Sequence, residues 1–204
     1  MFDRLFGDLP GEPLPLASYR ADFAARFDVS DGHDSWKLER LQHFKEPGDL
    51  SWTAFHRGDW NESLRLLDSD RTSLEELNQD SARRGINLYR VRVVEKPLTP
   101  YLHWELYGLR IAAEYGEKIR VVGPETVRQF ERGGVLPELV TLGADTVYQV
   151  QYDTSGLLDG AVRFIDPDVT ARTVKFIESL YDLGEDLASY FNREVAPLPP
   201  PTVS

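Results

Sequence analysis

SARRGINLYRVRVVEKPLTPYLHWELYGLRIAAEYGEKIRVVG, residues 81–123, decides the fold, because it predicts two strands joined by a helix. Residues 88–94 are rich in valine and alternate between apolar and charged side chains, which predicts a strand whose successive side chains point to opposite faces. Residues 118–122 repeat the pattern. A strand, a helix and a second strand of this length predict a βαβ unit with parallel strands and a right-handed crossover.

The connecting helix is predicted over residues 99–115. Thr99 and Pro100 form a favourable N-cap and first-turn pair, and Gly116 ends the helix. Apolar residues then recur on one helical face, at Leu102, Leu106, Leu109 and Ala113. One side of this helix is therefore expected to cover the sheet.

The remaining elements are predicted by the period of the apolar residues. Alternating runs at 139–142, 146–152 and 158–165 predict an antiparallel meander, and Trp36–Phe44 is a further candidate strand. Helices over 60–84 and 167–192 are expected to cover the sheet together with 99–115. The predicted fold class is α/β (α+β), a mixed sheet with one parallel βαβ unit and an antiparallel meander, covered by helices.

The chain is expected to hold a single α/β domain over residues 36–193. Residues 1–35 form an N-terminal extension, partly loop, with a short helix over 17–27 in which Tyr19, Phe23 and Phe27 recur every four residues. Residues 194–204 form a proline-rich tail. Two capping boxes, Asp59 with Glu62 and Thr72 with Glu75, predict helix starts near 60 and 73.

Composition limits the classes of function. Hydrophobic residues make up 41% and charged residues 28%, as in an ordinary globular protein. The lack of cysteine excludes disulfides and cysteine nucleophiles. A net charge of −11 disfavours direct binding to nucleic acid or anionic lipid. The start of the chain has no signal-peptide pattern, and no apolar segment approaches the ~20 residues of a membrane span. These features predict a cytoplasmic protein that does not contact a membrane.

The motifs of known catalytic chemistry are missing. The sequence has no G-x-S-x-G elbow, no P-loop, no G-x-G-x-x-G and no H-E-x-x-H. Its histidines have no ligand spacing with one another, and are His33, His43, His56 and His103. The sequence therefore predicts no catalytic residue, no metal site and no cofactor, and it favours a function that is not enzymatic.

Cations on the two central strands are the unusual feature. Arg90 and Arg92 share one face of the first strand, and Lys118 and Arg120 share one face of the second. If the strands are adjacent and parallel, the four cations are expected to line one patch. Such a patch could bind an anion, such as a phosphate, a nucleotide or an acidic segment of a partner.

A structural role for these cations is the alternative. Their long stems could cover the sheet while their charged heads pair with Glu or Asp of the covering helices. Tyr101 and Glu105 lie one turn apart beside the end of the first strand. A buried Glu105 would require a cationic partner, which Arg90 or Arg92 could supply.

A family resemblance is carried by the same stretch, in Arg90-Val91-Arg92-Val93-Val94, Pro97-Leu98, Tyr101-Leu102, Glu105-Leu106 and Gly116-Glu117. These segments resemble a large uncharacterised actinobacterial family known only as a domain of unknown function. The resemblance extends from Trp36-Lys37-Leu38-Glu39 to the last helix. The resemblance implies that the gene lies near genes for helix-turn-helix regulators, some of toxin–antitoxin type. It implies no catalytic residue.

Three hypotheses of function follow. The first is a cytoplasmic, non-enzymatic regulatory or protein-interaction module, the partner being a protein such as a helix-turn-helix regulator. The second is a binder of a nucleotide or small anion, or an enzyme acting on one, that uses the basic strand face. The third is a component of a toxin–antitoxin pair. The sequence does not distinguish an oligomer from a monomer.

Overall fold

One mixed sheet organises the residues that the computed structural model describes, which are 5–7 and 9–202. Eight strands within that part of the chain pair in the order β1-β7-β6-β5-β2-β3-β4-β8. The strands are β1 (Glu12–Pro15), β2 (Ser35–Glu39), β3 (Leu88–Val93), β4 (Lys118–Val122), β5 (Glu138–Leu142), β6 (Thr146–Tyr152), β7 (Leu158–Ile165) and β8 (Glu185–Asp186). The predicted fold class, a mixed α/β sheet, is confirmed.

Helices cover both faces of this sheet. They are α1 (Leu16–Phe27), α2 (Leu50–His56), α3 (Trp60–Ser69), α4 (Arg71–Arg83), α5 (Pro100–Glu114), α6 (Pro124–Val127) with a 3-10 turn at Arg128–Phe130, α7 (Pro167–Leu183) and α8 (Leu187–Glu194). No helix in the described part of the chain is long and apolar enough to cross a membrane.

The central βαβ prediction is confirmed. Strands β3 and β4 are adjacent and parallel, with Tyr89 opposite Lys118 and Val93 opposite Val122. Helix α5 forms the crossover, and the Thr99 side chain accepts the backbone N–H of Leu102 as its N-cap.

The antiparallel meander is confirmed as well, since β5 pairs with β6 and β6 pairs with β7. The candidate strand at Trp36–Phe44 is present in a shorter form as β2. It lies parallel to β3 and antiparallel to β5, so it joins the parallel unit to the meander. This position places β2 at the centre of the sheet.

Residues assigned from the sequence to an N-terminal extension complete the sheet. Strand β1 pairs with β7, and α1 follows it directly. The short helix expected over 17–27 is observed as α1, where the Tyr19 ring lies 5.2 Å from the Tyr148 ring of β6. Residues 1–4, 8, 203 and 204, which belong to the predicted extension and tail, lie outside the described residues.

The predicted single helix over 167–192 is wrong, because α7 ends before Gly184 and α8 begins after Asp186. A Cβ atom on Gly184 would lie 2.8 Å from the Cβ of Arg120, so glycine allows the chain to pass close to β4. Asp186 pairs with Arg120 in the sheet, and its side chain then accepts the N–H groups of Ala188 and Ser189 to cap α8.

The region 60–84 contains two helices, α3 and α4, which meet at Asp70, in agreement with the two helix starts predicted near 60 and 73. The first capping box is confirmed in part, since the Asp59 side chain accepts the N–H of Glu62. The second capping box is not formed, because α4 begins at Arg71 and Thr72 lies inside its first turn.

The two faces of the sheet are covered differently. Helix α7 packs along one face, with Leu38, Val91, Val147, Ile177 and Leu180 in its core. On the other face, α5 and α8 cover β4 through Leu106, Ile119 and Leu187, while α1 covers β6 and β7. An open groove is left on this second face, over β2 and β5.

Candidate functional site

The groove has a volume of about 500 Å³ and lies between α1 and α4. Helix α1 provides an aromatic wall of Tyr19, Phe23 and Phe27, and Leu77 of α4 stands opposite. Leu77 is 42% exposed, so its side chain is accessible from the groove. The floor beneath contains apolar strand residues such as Val140 and Val150 together with a polar set, which is Lys37, Glu46, Arg90, Glu117, Glu138 and Tyr152.

Strand alternation explains why charges gather on this floor. Lys37 lies opposite Arg90, and Glu39 lies opposite Arg92, in the parallel β2–β3 pair. Paired residues of neighbouring strands share a face, so these four charged side chains form one layer. Glu138 of β5 joins the layer beside β2, where its charge interacts with that of Glu39.

The predicted patch of four cations is not formed. Arg90 lies opposite Ile119, whereas Arg120 lies opposite Val91 and Lys118 opposite Tyr89. The register of β3 and β4 is thus offset by one residue from the one that would align the cations. Because a shift of one residue exchanges the two faces, Lys118 and Arg120 lie on the α7 face and Arg90 and Arg92 on the groove face.

On the α7 face, Lys118 and Arg120 already have polar partners. The Lys118 ammonium donates to the Asn87 side chain at 2.9 Å and to the Tyr89 hydroxyl at 3.1 Å. The Arg120 guanidinium donates to the carbonyl of Gly184 at 2.9 Å and lies 5.0 Å from the Tyr181 ring. These contacts make both residues structural in this arrangement.

On the groove face, Arg92 forms the pair with Glu105 that was one of the two alternatives predicted. Arg92 is 0% exposed, and its Nε donates to Glu105 Oε2 at 2.8 Å. Tyr101 donates its hydroxyl to the other oxygen of Glu105 at 3.3 Å. Burial raises the pKa of Glu105, and the Arg92 guanidinium opposes that shift.

Arg90 also has carboxylate partners. Its Nε donates to Glu117 at 2.6 Å and its Nη1 donates to Glu39 at 2.7 Å. Glu39 in turn binds the Lys37 ammonium at 2.5 Å. Burial alone would raise the pKa of Glu39, but the cations at Arg90, Lys37 and Arg92 hold it well below its usual range.

Glu138 is the exception in this layer. Its Oε1 accepts the backbone N–H groups of Arg40 and Leu41 at 2.8 and 2.7 Å, while its Oε2 is buried without a hydrogen-bond partner among the described residues. Burial, with a further contribution from the Glu39 charge, raises the pKa of Glu138 to about 7. This carboxyl group therefore changes its charge near neutral pH.

Carboxyl groups outnumber cations around the groove. Among the described residues of its floor and the layer behind it, the carboxyl groups are Glu39, Glu46, Glu105, Glu117 and Glu138, and the cations are Lys37, Arg90 and Arg92. Burial raises the pKa of Glu46 as well. Such a site favours a hydrogen-bond donor or a cation over an anion.

Sequence reasoning found Arg90, Arg92, Tyr101 and Glu105 but missed the acidic side of the site. A charged residue inside or beside an otherwise apolar strand was the available signal, since Glu39 ends β2 and Glu138 begins β5. No cluster of His, Cys, Asp or Glu in the described chain could hold a metal ion.

Comparison with known proteins identifies a family. The profile described as Domain of unknown function (DUF6879) matches residues 21–192. No curated protein matches the chain. Among solved structures, the chain is similar to TrmBL2, described as an archaeal chromatin protein that shows a novel mode of DNA binding, with a TM-score of 0.40 and 10% identity. The similarity covers 86% of this chain and 54% of that one, so the chain spans about half of its length.

Proposed function

We propose that this chain, which belongs to the family of the domain of unknown function DUF6879, is a non-enzymatic protein-interaction module that binds a basic partner in its groove. The observation that carries the proposal is the excess of carboxyl groups on the groove floor beneath partly exposed apolar walls. The apolar walls supply contact area, and the charged residues of the groove favour a partner surface of opposite charge.

The net charge of −11 supports a basic partner. Opposite net charges steer two proteins together and raise their association rate. A helix-turn-helix regulator, the partner that the family resemblance implies, fits this requirement because DNA-binding domains carry clustered Lys and Arg. In this proposal the module acts in the cytoplasm and contacts the regulator rather than the DNA.

The groove supports this function better than the small anionic ligand considered from the sequence. Arg90 and Arg92 already donate to Glu117, Glu39 and Glu105, so an anion would have to displace a carboxylate. That exchange gains little, because a bidentate or charge-assisted bond is lost for each one formed.

The test is affinity capture from the source cell with the wild-type chain and two matched variants. Leu77→Arg places a cation in the groove, and Leu183→Arg places the same cation on α7, where Leu183 is 69% exposed. Both variants change the net charge equally and neither fills a buried position. Captured proteins are identified by mass spectrometry and remade in pure form for titration.

We expect one basic protein to be retained by the wild type and by Leu183→Arg and to be lost with Leu77→Arg. Its affinity for the wild-type chain should fall as salt is raised. Equal capture by both variants contradicts the use of the groove. A small molecule that co-purifies with the wild type but not with Leu77→Arg would instead favour the second hypothesis, a ligand binder.

A further inference from the structure

We infer that the groove anchors its partner through one side-chain cation, a lysine ammonium or an arginine guanidinium, that is received by Oε2 of Glu138. This inference rests on the proposed function and deepens it, because it names the group on the partner and the atom that accepts it. It follows from an unsatisfied acceptor, from the walls of the groove and from the balance of charge around them.

The unsatisfied acceptor is the first step. Glu138 is 5% exposed, and only one of its two oxygens is used, by the N–H groups of Arg40 and Leu41. Buried carboxylate oxygens without a donor are rare in folded proteins, since each one loses its hydration without compensation. Glu138 lines the groove while its Oε2 is itself buried, so a donor that enters the groove reaches this oxygen once the Glu138 side chain turns toward it.

The neighbouring cations do not supply that donor. Lys37 is bound to Glu39 at 2.5 Å, and Arg90 is divided between Glu39 and Glu117. Arg92 directs its Nε to Glu105 and its Nη1 to backbone carbonyls, and its Nη2 is buried but forms no hydrogen bond with Glu138 or with any other described group. No described residue therefore donates to Oε2 of Glu138, and we expect the donor to come from a binding partner.

The walls suit the stem of a long cationic side chain. Phe23 and Phe27 stand in parallel with ring centroids 6.4 Å apart, and Tyr152 also lines the groove. Lysine and arginine bury their methylene stems against such surfaces while the charged head reaches a polar group. Aromatic faces add a cation–π attraction, which a neutral side chain of equal length lacks.

The charge balance explains why a cation is favoured. The charges of Glu39 of β2 and Arg92 of β3 act on Glu138, and the charge of Glu138 acts on Tyr152 of β6. The other titratable groups that line the groove are Tyr19, Lys37, Glu46, Tyr89, Arg90 and Glu117. Glu39 repels the ionised form of Glu138, and the backbone N–H groups of Leu41 and Arg40 and the charge of Arg92 offset this only in part, since the pKa stays raised. A cation at Oε2 would relieve this repulsion, so binding should favour the ionised form.

Proton release is the consequence that can be measured. The pKa of Glu138 is raised to about 7, so this group is roughly half protonated at pH 7. A cation that binds the carboxylate must displace the proton, and its affinity should rise about tenfold per pH unit below pH 7. Above pH 7 the affinity should level off, because the group is then already ionised.

The experiment follows the Glu138 side-chain carboxyl carbon by NMR in the full chain during a pH titration. The probes are N-acetyl-arginine methylamide, N-acetyl-lysine methylamide and, as the neutral match for arginine, N-acetyl-citrulline methylamide. We expect saturation with at least one cationic probe to lower the Glu138 titration midpoint by one pH unit or more, and citrulline to leave it unchanged.

Two variants complete the test. Glu138→Gln keeps an oxygen for the Arg40 and Leu41 N–H groups but has no carboxylate, and it should bind the cationic probe at least tenfold more weakly. Glu178→Gln removes an exposed carboxylate on α7 and should bind as the wild type does. A wild-type midpoint that neither cationic probe moves overturns the inference, and so does undiminished binding by Glu138→Gln.

Failure of this anchor is distinguishable from failure of the proposed function. If the probes do not act on Glu138 but Leu77→Arg still abolishes partner capture, the groove is the interface and the anchor is wrong. If the probes do not act and Leu77→Arg captures the same proteins as the wild type, both are wrong.

Discussion

Arg92→Ala removes a guanidinium that has no contact with solvent and that holds Glu105 at 2.8 Å. The carboxylate is left buried, and its one remaining donor among the described residues is the Tyr101 hydroxyl, which Glu46 also contacts. Breaking a buried pair by removing one partner leaves an uncompensated charge and costs about 3–5 kcal/mol. We expect the free energy of unfolding to fall by that amount at pH 8.

The loss should depend on pH. Burial already raises the pKa of Glu105 in the wild type, against the opposing charge of Arg92. Without Arg92 the folded-state pKa should rise further above the unfolded value, so the variant gains a proton on folding. A group whose pKa is raised on folding makes the folded state less stable as pH rises from the unfolded pKa through the folded pKa. The difference between wild type and Arg92→Ala should therefore be smaller at pH 5.5 than at pH 8.

Urea denaturation at both pH values measures these differences. Arg193→Ala is the control for an exposed ion pair, because Arg193 is 55% exposed and binds Glu185 at 2.5 Å, and it should cost under about 1 kcal/mol. The double replacement of Arg92 and Glu105 by Met removes both charges. It should recover about 2 kcal/mol of the loss, since apolar side chains of similar size can replace a buried pair.

A loss for Arg92→Ala at pH 8 that equals the loss for Arg193→Ala would refute the reasoning. So would a double replacement that is less stable than Arg92→Ala, because the cost would then lie in packing rather than in the unpaired charge. A loss of unfolding free energy that does not change with pH would show that the ionisation of Glu105 is not its cause.

The remaining predictions concern other parts of the sheet. Glu138→Gln should gain stability relative to the wild type as pH rises from about 4.5 to 7, by about 3 kcal/mol in urea denaturation, because its folded pKa of about 7 exceeds the unfolded value. Gly160→Ala should loosen β1 and increase hydrogen exchange there, since the added Cβ would lie 2.2 Å from the carbonyl oxygen of Leu14. Thr99→Ala removes the N-cap of α5 at Leu102 and should lower the melting temperature, at a cost of about 1 kcal/mol.

The sequence was sufficient for the elements of the fold where local patterns decide them. The alternation in β3 and β4 and the N-cap at Thr99 are local, and the βαβ unit they predict is present. The break in the last helix depends on a distant contact instead. Gly184 and Asp186 leave the helix because β4 accepts them as an edge strand, and nothing in the sequence of residues 167–192 identifies β4 as a neighbour.

For the site, the main feature that local sequence patterns did not predict was the pairing of the strands and their register. Arg92 and Glu105 could be paired from sequence, because both lie within one βαβ unit and a buried carboxylate needs a cation. The offset that places Lys118 and Arg120 on the other face is a property of the β3–β4 pairing, which the alternation within each strand does not specify. Glu39 and Glu138 meet only because β2 lies between β3 and β5, which is a long-range pairing.

The charged layer on the groove face has two parts, one in which the charges are paired and one in which they are not. At β3 each cation has a carboxylate partner, so the layer there is expected to hold the strands and α5 in place. At β5 a carboxylate lies buried beside another carboxylate, and its raised pKa shows that the ionised form is unfavourable in the folded chain. A glutamine at position 138 would make the folded chain more stable, because it keeps the contacts to the Arg40 and Leu41 N–H groups without the charge. A costly group that also borders an open groove is what a binding site is expected to retain, because sequences depart from the most stable choice mainly where function requires it.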